Sequence, residues 1–308
     1  MQAGNENMNQ QQALVTPFHH PATGTWSYVV QDPDSKAAAI IDPVMDFEFR
    51  AGRTYTDYAD EILDFVRREQ LEVKWILETH AHADHLSAAP YLQEHLDAPV
   101  GIGRGITAVQ ERFKELFNLP DAFKTDGSQF DHLFDDGDSF TIGGLTGRVI
   151  STPGHTSDSN SFLIGDAVFV GDSLFAPRFG TARCDFPGGD AGVLFDSIQK
   201  LYQLPDETRV FLCHDYPPED KEPIAETSIG EEKRDNIHVR ADTRREDFVT
   251  MRNERDESLP MPDLIIPSVQ VNINTGKPMP AEDNGTAYIK VPLNIFRGDP
   301  ERLARSSS

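Results

Sequence analysis

Residues 79–85 read Thr-His-Ala-His-Ala-Asp-His, directly after the run Val73-Lys74-Trp75-Ile76-Leu77, which has the composition of a buried strand. His80, His82, Asp84 and His85 place four metal-binding side chains within six residues. Imidazole and carboxylate are ligands of choice for zinc, iron and manganese, and burying so many of them without an ion leaves polar groups unpaired. Histidines at i and i+2 cannot share one helix face, so these ligands belong on a loop leaving a strand, unlike the His-Glu-x-x-His helix arrangement. The competing reading is a solvated polar loop with incidental histidines. Spacing and strand-end placement both argue for the metal.

Three later segments repeat the strand-end pattern. The run Arg148–Ser151 leads into Thr152-Pro153-Gly154-His155-Thr156, Ala167–Val170 into Gly171-Asp172-Ser173-Leu174-Phe175, and Arg209–Leu212 into Cys213-His214-Asp215-Tyr216. Alone, His155 or His214 reads as a hydrogen-bonded structural histidine, and Asp172 after a glycine as a turn residue. Jointly they say more, because five of the ten histidines occupy these strand ends. Ligands leaving several strands at their carboxyl ends converge in one crevice, where open α/β sheets place their active sites.

Such a site needs a rigid frame, and 308 residues at 38% hydrophobic content supply a large core. Strands are expected at Leu14–Phe18, Ser27–Gln31 and Ala37–Ile41, the last ending in Asp42-Pro43. Ala59, Ile62, Leu63 and Val66 form the stripe of an amphipathic helix over Tyr58–Arg68, with Thr56 as its cap. Helices follow near Leu86–Leu96 and Ile106–Phe117 around a strand at Val100, and from His132 short strands alternate with tight turns. A helix over Ala191–Leu201, one near Glu246–Glu254, an extended stretch Leu259–Pro267 and a strand-like Ser268–Ile273 complete the reading. The expected organisation is a disordered segment 1–12, a catalytic domain 13–260, and an extension 261–308 that covers the core and ends in disorder. A formal charge of −23 argues against nucleic acid or an anionic membrane as partner. No run reaches the length of a membrane span, and no Lys or Arg precedes Lys36, which speaks against a secretory or transit segment. With Cys184 and Cys213 as the two cysteines, the expected location is a reducing cytoplasm.

The stretch Thr79–His85 with Pro153-Gly154-His155-Thr156, Gly171-Asp172 and His214 resembles the metallo-β-lactamase superfamily. The fold this implies is α+β, an αββα sandwich of two mixed β-sheets flanked by helices. Within the superfamily, Phe169–Phe175, Arg183-Cys184-Asp185-Phe186 and Cys213–Tyr216 resemble the persulfide (sulfur) dioxygenases, over roughly residues 14–260. The resemblance implies one Fe(2+) per chain held by His80, His155 and Asp172, with His82, Asp84, His85 and His214 as a second pocket or as support for the first. It also implies glutathione persulfide and O2 as substrates, and sulfite and glutathione as products. Glyoxalase II, a glutathione thioester hydrolase, would keep every one of these ligands. Two adjacent cations suit hydrolysis, and one redox-active iron with open positions suits oxygenation. Ligand residues do not separate the two, and a metal-binding module without turnover is a third reading.

Asp84 and His85 are expected to orient water or ligands, Tyr216 to donate a hydrogen bond at the metal, and Arg183 to bind substrate. The alternatives are packing for Tyr216 and an ion pair with Asp185 for Arg183. Cys213 is expected to point away from His214 into the core. Cys184, beside Arg183, is the better candidate for a reactive thiol. Association as a homodimer stays open.

Overall fold

A computed structural model of the chain describes residues 11–217 and 221–296. The expected disorder at 1–12 and at the C-terminal end falls largely outside these residues. The first half of the chain runs β1 (Leu14–His20), β2 (Thr25–Gln31), β3 (Ala37–Ile41), β4 (Val44–Glu48), β5 (Arg53–Tyr55), α1 (Asp57–Arg68), β6 (Glu72–Leu77), β7 (Leu86–Ser87), α2 (Ala89–Leu96), β8 (Val100–Gly103), α3 (Ile106–Leu116) and β9 (His132–Phe134). The second runs β10 (Ser139–Ile142), β11 (Leu145–Ser151), β12 (Asn160–Ile164), β13 (Ala167–Phe169), α4 (Ala191–Leu201), β14 (Arg209–Phe211), β15 (Glu226–Ser228), α5 (Ile229–Asp235), α6 (Arg245–Glu257) and α7 (Ile265–Asn272).

Two six-stranded mixed sheets form, ordered β1-β2-β3-β6-β8-β9 and β10-β11-β12-β13-β14-β15. Parallel pairing of β3 with β6, and of β13 with β14, brings the carboxyl ends of ligand-bearing strands side by side. Strand alternation divides the core into layers. On β3, Ala38 and Ile40 pack outward with Ile62, Leu63 and Val66 of α1, while Ala39 and Ile41 face inward toward Phe162 and Phe169 of the second sheet. Behind that sheet, Val168 and Val210 meet Leu194 and Ile198 of α4 and Phe248 of α6. Helix, sheet, sheet, helix is the order of the layers, as the sequence implied.

Local departures have identifiable causes. Thr56 precedes α1 but its hydroxyl donates to Asp60; the Tyr58 N–H is instead accepted by Asp46 of β4, at 2.9 Å. Leu86 and Ser87 are not helical, because they pair with Met45 and Val44 in a small sheet, and α2 begins at Ala89 with Pro90 in its first turn. The largest correction is Ser268–Ile273, which is not a strand: it lies within α7 and its cap. Val269, Val271 and Ile273 alternate as in a strand, yet Ile265, Val269 and Ile273 recur every fourth residue and pack together into the outer core of the first sheet.

Candidate metal centre

The ligand loop is held from three sides. Thr79 donates through its N–H (2.7 Å) and its hydroxyl (2.9 Å) to the Asp42 carboxylate at the end of β3. Asp158 accepts from the Ala81 N–H at 2.8 Å. Asn272 of α7 donates to the carbonyls of His82 (2.9 Å) and His85 (2.8 Å) and accepts from the Ser87 N–H (2.8 Å). The loop can therefore present its side chains without spending its backbone groups on them.

His80, His155 and Asp172 form one group whose ligand atoms all lie within 4.8 Å of one another, and His82, Asp84 and His85 form a second. Asp172 reaches both sides: one oxygen lies 3.5 Å from His155 Nε2, the other 3.4 Å from His214 Nε2. His214 Nε2 is also 3.5 Å from Asp84. Asp172 sits in a 3-10 turn after β13, and the Gly171 before it has φ +52°; a Cβ there would meet the Thr79 side chain at 2.8 Å, so glycine permits the approach of the two ligand segments.

Hydrogen bonds assign the tautomers that metal binding requires. The Thr79 hydroxyl gives its proton to Asp42, so it accepts from His80 Nδ1–H at 3.0 Å, leaving Nε2 with its lone pair. His155 Nδ1–H donates to the Arg183 carbonyl at 2.7 Å, with the same result. His80 Nε2, His82 Nδ1, His85 Nε2 and Asp172 Oδ1 are buried without a hydrogen-bond partner among the described residues. Unpartnered buried lone pairs converging in one place are what a metal site offers its ion, so these residues fit the implied cation. Burial holds His80 and His82 well below the ordinary imidazole range, neutral and ligand-competent. Burial opposes ionisation of Asp84 and Asp172, but the histidines around them, His214 foremost, keep both below the usual carboxylate range.

Behind His82 lies a feature that sequence reasoning missed. Its Nε2 is 3.1 Å from Asp42 and 3.6 Å from Glu78, and both carboxylates are buried. Asp42 was visible only as the end of a strand, and nothing in sequence marked Glu78 or Asn272.

A cavity of about 530 Å³ opens over His155, Asp172 and His214, walled by Phe175, Phe179, Phe186 and Met261. Tyr216 lies in its wall, ring-stacked on His214 with centroids 5.7 Å apart. Arg183 also lines it, but its guanidinium pairs with both oxygens of Asp185 (2.6 and 2.9 Å), donates to the Pro260 carbonyl and covers Phe186. It thus ties residues 259–260 to the loop after Asp172.

The cysteine expectations are corrected. Cys184 is buried, and burial followed by the nearby Asp256 pushes its thiol up, against the expected activation by Arg183. Cys213 is buried but does not face away from the site; its sulfur groups with His82 and His214.

Among known proteins, the metallo-beta-lactamase superfamily profile matches residues 20–214. A beta-lactamase hydrolase-like protein of Xylella fastidiosa is 48% identical over 94% of this chain and 68% of its own length. Glyoxylase B2 of Dictyostelium discoideum is 46% identical over 92% of this chain and 98% of its own. The mitochondrial persulfide dioxygenase ETHE1 of Homo sapiens is 26% identical over 87% and 90%. Among solved structures, ETHE1 from Myxococcus xanthus aligns with a TM-score of 0.67 and 32% identity, covering 85% of this chain and 99% of that one. By name, the relatives above 45% identity back the thioester-hydrolase alternative better than the dioxygenase reading. Among the described residues no helix is long and apolar enough to cross a membrane.

Proposed function

This chain belongs to the metallo-β-lactamase superfamily, and we propose that within it the protein is an iron(II)-dependent persulfide dioxygenase acting on glutathione persulfide. Two observations together support the reading: His80, His155 and Asp172 form a compact group of two histidines and one carboxylate, and ETHE1 from Myxococcus xanthus aligns over 85% of this chain at 32% identity. Iron held by these three residues would supply redox chemistry toward O2 and a sulfur anion.

The chain's own residues do the rest. Thr79 and the Arg183 carbonyl fix the two imidazoles with their Nε2 atoms inward. Phe175, Phe179 and Phe186 give the cavity a largely apolar wall against which a sulfur anion and O2 can meet. Asp84 and His214 border that space, with His85 held 3.0 Å from Asp84 behind it, and can orient the water that completes the reaction. In sum, persulfide, O2 and water yield thiol, sulfite and two protons.

The second reading is a dinuclear thioester hydrolase of the glyoxalase II kind. It is favoured by the Asp172 carboxylate, which turns one oxygen toward each ligand group, and by the names of the more similar relatives. The deciding experiment measures metal content, then O2 uptake with glutathione persulfide after anaerobic iron loading. The dioxygenase predicts one iron per chain and uptake matched to sulfite. Two zinc ions, no uptake and hydrolysis of S-lactoylglutathione would replace it with the hydrolase.

A further inference from the structure

Cys213 is a buried thiol beside His82 and His214 that neither reaction uses. The residue directly precedes His214 at the end of β14 and is almost wholly buried. Its Sγ, a nitrogen of His82 and a nitrogen of His214 lie within 4.8 Å of one another. His82 is entirely buried and neither of its ring nitrogens has a hydrogen-bond partner among the described residues. The Asp42 carboxylate lies 3.9 Å from the sulfur and 3.1 Å from His82 Nε2.

We propose that His82, Cys213 and His214 form a binding site for one thiophilic divalent cation, zinc or cadmium, with the Cys213 sulfur as its distinguishing ligand. Donors around a tetrahedral zinc stand at about 2.0–2.3 Å from the ion, so three ligand atoms spaced within 4.8 Å converge on it with small side-chain shifts. A thiolate selects soft cations over iron(II) and manganese, which the sulfur-free group of His80, His155 and Asp172 accepts. Binding displaces the thiol proton into solvent, and the neighbouring Asp42 can complete the coordination. The site shares no residue with His80, His155 and Asp172. It competes instead for His82 and His214, so a soft cation lodged there disturbs the catalytic space from beside it.

The test uses cadmium alone. Metal-free full-length protein is titrated with Cd2+ while the ultraviolet sulfur-to-cadmium charge-transfer absorption is recorded. The expected result is a band saturating at one equivalent, retained in Cys184→Ala and lost in Cys213→Ala, whereas Cys213→Ala still binds iron at the other group. Inhibition by cadmium should then weaken by at least about tenfold in Cys213→Ala, as loss of a ligand implies. Cadmium binding without the band, or a band lost with Cys184 and not with Cys213, would overturn the proposal. Should Cys213→Ala not fold, the 113Cd resonance of the wild-type complex reports directly whether sulfur is bound. The absorption band and the 113Cd resonance do not depend on which substrate the enzyme turns over.

Discussion

Asp172 is the residue on which both ligand groups turn, since its two oxygens lie 3.5 Å from His155 and 3.4 Å from His214. Replacing it by alanine removes an anion from among buried imidazoles and the carboxylate that His155 faces. Asp172→Ala is therefore expected to purify with little metal and with activity reduced to background; full metal content and turnover in this variant would refute the site. The ligand types were readable at this scale because imidazole and carboxylate announce their chemistry. Their supporting groups were not: Asp42, Glu78 and Cys213 are ordinary residues until strand pairing brings β3, β6 and β14 to one edge. The role of Arg183 also turned on its surroundings. Its guanidinium is engaged by Asp185 and by the Pro260 carbonyl, which favours the buttress over the substrate anchor.

Among the elements, α7 decides more than its position suggests. It lies beyond the superfamily match at 20–214, yet its Asn272 makes three hydrogen bonds, two to carbonyls of the ligand loop and one with the Ser87 N–H just beyond it. Aspartate in its place keeps the acceptor for the Ser87 N–H and loses both donations to the His82 and His85 carbonyls. Outer-shell losses of this kind lower metal affinity about 10–100-fold, and Asn272→Asp should fall in that range by competitive chelation. Equal affinity would make the helix a mere cover. The sequence concealed this element because Val269, Val271 and Ile273 are β-branched and alternate, a strand-like signature, while the fourfold spacing of Ile265, Val269 and Ile273 matters only when there is a core to receive it. The long runs fared better: α4 was read to the residue, and α1 to within one, since an amphipathic stripe over three turns is not easily mistaken.

For the whole molecule, a formal charge of −23 on 308 residues means that folding gathers like charge. Exposed pairs such as Arg104–Asp135 and Arg244–Asp247 contribute little each and weaken in salt. Screening the net repulsion should dominate. Raising the salt from low to moderate is expected to stabilise the fold by about 1 kcal/mol or more, roughly 2–4 °C in Tm. A Tm that falls with salt would show that specific ion pairs outweigh the repulsion.

By itself the sequence determined the ligand inventory, the strand-end placement of each ligand and, through resemblance, the layered sandwich. These are local or pattern-borne properties: a residue type, its spacing, and an alternation that survives in one dimension. Only the tertiary structure decided that Asp172 turns one oxygen to His155 and the other to His214, that Cys213 turns toward His82, and that a C-terminal helix holds the loop. Those relations join residues up to 190 positions apart, and no spacing along the chain encodes a contact made by packing one sheet edge against a distant helix.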